Sequence, residues 1–97
     1  MFRHVVTLTL RDDAPERARS EIVDALRDLP GAVPSIRSYV VGSDAGISDG
    51  NADIVVVADF DDVDGYVAYR DDPTHQGVIR DRILPVLASR AAVQHEL

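Results

Sequence analysis

The sequence predicts an α+β domain of the ferredoxin-like βαββαβ type, and three observations support this fold class. The chain has 97 residues, which suits one domain over residues 1–97. Four segments are predicted to be strands from their alternating or continuous apolar residues, and segments with helical periodicity follow the first and the third of them. This order gives a four-stranded antiparallel sheet with the helices on one face.

The first strand is predicted at residues 2–10, FRHVVTLTL, because its residues alternate with period two. One parity is strongly apolar and consists of Phe2, His4, Val6, Leu8 and Leu10. The next helix is expected to begin with a capping box formed by Asp13 and Glu16. Pro30-Gly31 should end this helix, whose apolar stripe consists of Ala18, Ile22, Ala25, Leu26 and Leu29.

The second and third strands are expected on either side of a polar loop. The second lies around residues 35–41, and the loop after it, GSDAGISDGN, is rich in turn residues. Its acidic residues do not fit an EF-hand, because apolar residues fall at the first two ligand positions. Residues 53–60, DIVVVADF, are apolar on both parities, which indicates a central strand covered on both faces.

The last part of the chain predicts two helices and a strand. A short helix is expected at about residues 62–70, and Pro73 breaks it because proline disfavours helical backbone at the preceding residue. The next helix would be capped by Thr74 and run over about residues 75–89, with Pro85 kinking or dividing it. The final segment, AAVQHEL, is predicted to be the fourth strand.

Both faces of the predicted sheet are apolar. The helices would cover one face, formed by Phe2, Val6, Leu8, Ile54, Val56 and Phe60. The other face would carry Val5, Tyr39, Val41, Val55 and Val57. A bare apolar face of this size is rare on a monomer, so we expect a homodimer with two copies packed sheet to sheet about a two-fold axis.

Charge and composition narrow the possible partners. The net charge is −7, arginine supplies all the positive charge, and cysteine is absent. An acidic domain repels phosphate backbones and anionic membranes, so neither nucleic acid nor a membrane is an expected partner. Without cysteine there is no disulfide, thiolate nucleophile or cysteine metal site. No apolar run approaches a membrane span and the first residues lack the order of a signal peptide, so we expect a cytoplasmic protein.

Three residues are candidates for proton transfer. The parity of the first strand places His4 between sheet and helices, either as a core residue bonded to a backbone carbonyl or as part of a pocket wall. His75 would lie in the first turn of a helix, where the helix dipole keeps the imidazole neutral and able to accept a proton. Tyr69 ends the preceding helix, and the two rings could converge across the turn. Spacing alone also fits an ordinary helix boundary.

These features together resemble the stress-responsive α/β-barrel (Dabb) family over nearly the whole chain. The resemblance rests on the opening strand with His4, the strand ending in Phe60, the pattern Y-x-x-x-P-x-H of Tyr69, Pro73 and His75, and the segments IRSYVVGSD and ILPVL. It implies a ferredoxin-like protomer and a dimeric α/β barrel. Two positions differ from the pattern common in the family, because Asp72 precedes the proline and Gln94-His95 closes the last strand.

The resemblance also implies a chemistry, since a plant subgroup of the family cyclises linear polyketides without a cofactor. It implies that His75 is a general base, which removes a proton from a carbon flanked by carbonyls, and that Tyr69 donates to the developing enolate oxygen. The candidate substrate-binding residues are His4, Val6, Leu8 and Val56. The ligand would be a small hydrophobic carbonyl compound, with no cofactor and no metal.

Two classes of function stay open. In the first, the protein is a cofactor-independent cyclase or isomerase; in the second, it is a non-catalytic ligand-binding or stress-associated dimer in which His4 and His75 are core and cap residues. Related dimeric barrels oxidise aromatic polyketides without metal or flavin, but no Trp- or Asn-bearing pocket pattern supports that here. An enclosed pocket with both rings facing into it would favour the enzyme.

Overall fold

The computed structural model describes residues 1–97 and has four strands and three α-helices. In chain order they are β1 (Phe2–Leu10), α1 (Ala18–Arg27), β2 (Ser38–Ser43), β3 (Ile54–Phe60), α2 (Val63–Asp71), α3 (Pro73–Val78) and β4 (Leu87–Glu96). The strands form one antiparallel sheet in the order β2-β3-β1-β4. This topology confirms the predicted ferredoxin-like fold. None of the helices has the length and apolar character needed to cross a membrane.

The first helix begins later than predicted. Its first residue is Ala18, and the preceding residue, Arg17, makes no side-chain capping bond. The capping box of Asp13 and Glu16 is therefore wrong. Asp13 instead accepts a hydrogen bond from Arg11 at 2.7 Å, within the connection between β1 and α1. The local pair of opposite charges competes with capping for this carboxylate.

The predicted cap of α3 is also wrong. Asp72 rather than Thr74 caps the helix, since its carboxylate accepts from the backbone N–H groups of Thr74 (2.8 Å) and His75 (3.3 Å). Pro73 occupies the first turn, where the missing N–H costs nothing. The α-helix ends at Val78, and a π-helical turn (Ile79–Ile83) and a 3₁₀ turn (Leu84–Val86) lead into β4. The chain is thus divided before Pro85, and the last strand begins at Leu87 rather than at residue 91.

The second strand starts at Ser38, later than residues 35–41, because the chain before it is held in a turn by the Ile36 N–H to Val33 carbonyl bond of 3.3 Å. Its register places Tyr39 opposite Ala58 and Val41 opposite Val56, on the helix-covered face. Val41 is buried there. The prediction that Tyr39 and Val41 lie on the opposite face is therefore wrong.

The core lies between the helix-covered face of the sheet and the helices. It contains the predicted strand residues Val6, Leu8, Ile54, Val56 and Phe60, together with Ile22, Val23 and Leu26 of α1. Burial of these apolar side chains is the main favourable contribution to the folding free energy.

The opposite face of the sheet, which we call the open face, carries one valine from each strand in a single row. The pairing register places these four side by side in the order Val40, Val57, Val5 and Val93. The outer two are 57% and 56% exposed. Beside the row, Arg3 and Asp59 form a two-contact ion pair of 2.7 and 2.9 Å. The open face is thus an apolar stripe with a charged flank, and no helix covers it.

Candidate active site

A cavity of about 190 Å³ lies between the sheet and the helices α2 and α3. Its lining includes all six residues that were predicted from the sequence to form the site: His4, Val6, Leu8, Val56, Tyr69 and His75. The remaining lining residues are mostly apolar and come from α1, α2, α3, β4 and the segment that leads from α3 into β4. For comparison, an apolar cavity of about 150 Å³ is enough to hold benzene. The structure therefore brings the nominated residues together around a space of ligand size.

The sheet supplies the floor of this cavity. His4, Val6 and Leu8 are alternate residues of β1, so their side chains all point toward the helices. Val56 of β3 stands opposite Val6 in the antiparallel register. The floor is consequently apolar, with one imidazole at its end.

The helices supply the roof. Asp62 starts α2 by accepting the Gly65 N–H at 2.9 Å, which directs the last turn of α2, with Tyr69, over the sheet. Asp72 then starts α3 and places His75 in its first turns. The Tyr69 and His75 rings stack with centroids 4.0 Å apart and an interplanar angle of 27°. Both are buried, with 3% and 9% of their surfaces exposed.

The hydrogen bond of His75 defines which of its nitrogens is free. Its Nδ1 lies 3.2 Å from the backbone carbonyl oxygen of Arg70. A carbonyl oxygen can only accept, so Nδ1 carries the proton and Nε2 presents a lone pair. No hydrogen bond to Nε2 is present, this nitrogen is not fully buried, and the His75 side chain lines the cavity. His75 is thus arranged as a proton acceptor.

His4 has the opposite arrangement. The amide Nε2 of Gln94 lies 2.8 Å from His4 Nδ1, and an amide nitrogen can only donate. The ring proton of His4 therefore sits on Nε2, which has no other partner and is a free donor. The expected bond to a backbone carbonyl is replaced by this side-chain bond from the neighbouring strand. The two histidines are a donor and an acceptor in one cavity.

Tyr39 was not among the predicted site residues, yet its side chain contacts Tyr69 of the site. Its hydroxyl lies 2.9 Å from the Tyr69 hydroxyl, and its ring packs edge-on against that of Tyr69. The residues Tyr39, Ala58, His4 and Gln94 form one row across the sheet. Ala58, which has no exposed surface, lies between Tyr39 and His4 in this row and separates their rings with a small side chain. The Tyr69 ring packs above it, with its centroid 6.2 Å from that of His4. The missed signal was the register that aligns Tyr39 with Ala58.

Burial controls the protonation of the site. It lowers the pKa of His4 to about 4, with smaller contributions from the positive charge of Arg90 and from His75. Burial also lowers the pKa of His75, against the opposing effect of its backbone hydrogen bonds. Burial raises the pKa of Tyr69, while the hydrogen bond from Tyr39 lowers it. At neutral pH the site therefore holds two neutral imidazoles and a neutral phenol.

Neither a carboxylate nor a metal-binding cluster belongs to this site. The charged residues of the lining are Arg70 and Arg90, and no Asp or Glu side chain contributes to it. No group of three or more His, Cys, Asp or Glu side chains in the chain is placed to hold a metal ion. The arrangement offers a proton acceptor at His75 and hydrogen-bond donors at His4 and Tyr69 in the lining of one cavity.

Comparison with known proteins gives a family and a fold. The family model described as Stress responsive A/B Barrel Domain (Dabb) matches residues 2–96. No protein with a curated description matches the chain. A dimeric ferredoxin-like protein of unknown function from Thermobifida fusca YX is 38% identical, with a TM-score of 0.89, covering 99% of this chain and 90% of that chain.

More distant solved structures share the fold alone. A Dabb family protein with a ferredoxin-like fold from Mesorhizobium loti is 20% identical, with a TM-score of 0.81, covering 99% of this chain and 95% of that chain. A hydroxynitrile lyase from Passiflora edulis is 13% identical, with a TM-score of 0.84, covering 99% and 92% of the two chains. At such identities only the backbone arrangement is comparable.

Proposed function

This chain belongs to the stress responsive A/B barrel domain family, and from that premise we propose that it is a homodimeric, cofactor-independent cyclase or isomerase of small polyketide-like carbonyl compounds. The observation that carries the proposal is the meeting of one free acceptor and two donors in an apolar cavity. The acceptor is His75 Nε2, and the donors are His4 Nε2–H and the Tyr69 hydroxyl.

In the proposed reaction, His75 removes a proton from a carbon flanked by two carbonyl groups. The negative charge moves to a carbonyl oxygen, where Tyr69 and His4 donate hydrogen bonds to it. The enolate carbon then attacks a second carbonyl of the same molecule, or takes the proton back at another position. In either case imidazolium returns the proton, so His75 ends neutral. The apolar floor keeps water away from the anion and strengthens both hydrogen bonds.

The proposed homodimer would use the open face of the sheet. The valine row there leaves apolar side chains exposed, and a second copy packed on it would bury them. Support comes from the Thermobifida fusca relative, which is described as dimeric and is 38% identical. The ion pair of Arg3 with Asp59 at the flank would help to align the two copies.

A second candidate is a non-catalytic ligand-binding or stress-associated dimer of the same architecture. This alternative is favoured by the contacts through which His75 stabilises the fold. Its Nδ1–H bond to Arg70 joins α3 to the end of α2, and its ring stacks on Tyr69. In this alternative the cavity stores a ligand and performs no proton transfer.

The test uses a linear 3,5-diketo thioester as the probe, with product formation followed by liquid chromatography and mass spectrometry. We expect the wild type to accelerate cyclisation and the His75→Ala variant to lose on the order of a thousandfold in kcat, with the dissociation constant for the probe changed by less than about threefold. Binding without any turnover in the wild type would favour the ligand-binding alternative. Equal loss of folding and activity in His75→Ala would point to a structural role for this residue.

A further inference from the structure

Arg90 differs from every other arginine of the chain. Of the ten arginines, eight form ion pairs with Asp or Glu side chains. Arg27 donates to the Val41 carbonyl at 2.7 Å. The side chain of Arg90 alone forms neither an ion pair nor a hydrogen bond, although the chain has a net charge of −7 and carboxylates are abundant.

This unpaired guanidinium belongs to the cavity. Arg90 lies on β4 opposite Leu8 of β1, so its side chain leaves the sheet on the helix-covered face. It contributes to the cavity lining while keeping contact with solvent. The same strand carries Gln94, which holds His4. Arg90 therefore lies on the wall of the cavity, one strand away from its apolar floor.

The positive charge of the cavity is not compensated. Its other charged lining residue, Arg70, is held by Asp71 through two contacts of 2.8 and 3.1 Å. No Asp or Glu side chain contributes to the lining. The cavity thus combines an apolar body with a single free cation at its wall, and a ligand that matches both has an apolar part and one anionic end.

We propose that Arg90 binds a carboxylate of the ligand, so that this site prefers carbonyl compounds carrying a free acid group over neutral analogues of the same shape. The inference rests on the proposed function, because it concerns the ligand of the same cavity. A carboxylate fits better than a phosphate ester, because one planar guanidinium pairs with the two oxygens of a carboxylate. A phosphate monoester carries up to two negative charges, and the cavity offers only one unpaired cation. Arg90 is then a specificity-determining residue that also orients the ligand toward His75.

The positive charge of Arg90 also bears on how strong a base His75 is in the proposed reaction. Burial is the main reason why the pKa values of His4 and His75 are lowered, and the positive charge of Arg90 adds a smaller effect in the same direction. A bound carboxylate would neutralise part of this effect. Ligand binding would therefore make His75 a stronger base at the time it is needed.

The test compares pairs of probes of closely similar shape in which a neutral amide replaces the carboxylate: benzoate with benzamide, and hexanoate with hexanamide. Binding is measured by NMR titration of the amide resonances of the cavity residues. We expect the wild type to bind each acid about tenfold more tightly than its amide, and added salt to reduce that ratio. Arg90→Gln should abolish the ratio and Arg90→Lys should keep part of it. Arg80→Gln is the matched control, because it removes an exposed charge outside the cavity and should keep the full ratio.

Three other results would contradict the role of Arg90, and they differ in what they mean for the proposed function. Equal affinity of acid and amide in the wild type, or an unchanged ratio in Arg90→Gln, would overturn the role of Arg90 and leave the proton-transfer proposal in place. Failure of all four probes to shift the cavity resonances would count against both proposals. A change in sedimentation coefficient in Arg90→Gln but not in Arg80→Gln would identify Arg90 as a subunit-interface residue, and the carboxylate assignment would then be wrong.

Discussion

The hydroxyl groups of Tyr39 and Tyr69 lie 2.9 Å apart and join the edge strand β2 to the last turn of α2. When Tyr39 donates, the oxygen of Tyr69 accepts, and its own proton is left for an oxygen in the cavity. This bond also lowers the pKa of Tyr69 against the effect of burial. Tyr39 is thus a positioning residue, since it acts on the substrate only through Tyr69.

Replacing Tyr39 by Phe removes this donor and keeps the ring. We expect the pKa of Tyr69 to rise, turnover of the diketo thioester to fall about tenfold, and the free energy of unfolding to fall by about 1 kcal/mol. Urea denaturation and the pH dependence of kcat measure these effects. The alkaline limb of the pH profile should move to higher pH. A loss of stability with an unmoved profile would mean that Tyr39 has only a packing role.

The buried histidines predict a specific dependence of stability on pH. The pKa of His4 is about 4 in the folded protein and 6.5 in its ordinary state, so the unfolded chain binds a proton first as the pH falls. The free energy of unfolding should be greatest above pH 6.5, decline toward pH 4 and then level off with respect to this group. Each unit of pKa difference corresponds to about 1.4 kcal/mol. His75, whose pKa is also lowered, acts in the same direction.

Urea denaturation at several pH values, on the wild type and on His4→Gln, measures this dependence. The variant should show a shallower decline through that window. His95→Gln is the matched control, because His95 is exposed and outside the cavity, and it should keep the wild-type slope. The ion-paired carboxylates Asp59 and Asp61 have lowered pKa values. Their contribution to the free energy of unfolding is therefore lost at a pH below the range in which His4 acts. A decline of equal slope in His4→Gln and the wild type would contradict the assignment to His4.

The two histidines should differ in tautomer. Gln94 makes His4 a proton donor at Nε2, and the Arg70 carbonyl makes His75 a proton donor at Nδ1. Long-range ¹H–¹⁵N NMR at neutral pH distinguishes the two forms directly. Gln94→Leu should release His4 into a mixture of tautomers and leave His75 unchanged. Finding both rings in the same tautomer in the wild type would remove the donor–acceptor pair on which the proposed reaction depends.

An acid in the middle of the valine row should separate the proposed dimer. Val57 lies between Val5 and Val40 in the register, so Val57→Asp would bury a charge if a second copy packs there. We expect the dissociation constant of the dimer to rise on the order of a hundredfold, measured by sedimentation velocity. Ile47→Asp, at a loop position that is 87% exposed, is the control. An unchanged dimer in Val57→Asp would place the interface elsewhere.

The sequence predicted the direction of side chains within a strand better than the alignment between strands. Alternation along β1 was enough to orient His4, Val6 and Leu8 toward the helices. The face of Tyr39 was wrong because it depends on which residue of β3 stands opposite, and a one-residue change in register reverses every side chain of a strand. Tyr39 and Gln94 were therefore missing from the predicted site, although both are near it.

Local competition explains the errors at the helix ends. Asp13 and Asp72 were both close to a plausible helix start, but only Asp72 reaches free backbone N–H groups. Asp13 pairs with Arg11 instead. Asp72 and Gln94 each hold a histidine of the site, Asp72 by capping the helix that carries His75 and Gln94 by a direct bond to His4.

The row of Tyr39, Ala58, His4 and Gln94 has a consequence for how the protein folds. It takes one residue from each strand, and His4 and Gln94 are 90 positions apart in the chain. Contacts between such distant residues require a long loop to close, which costs chain entropy and slows folding. Partly folded chains that lack β4 have neither the partner of His4 nor Arg90, so the proposed ligand would stabilise only chains whose first and last strands have paired. Binding of such a ligand would therefore also report that folding is complete.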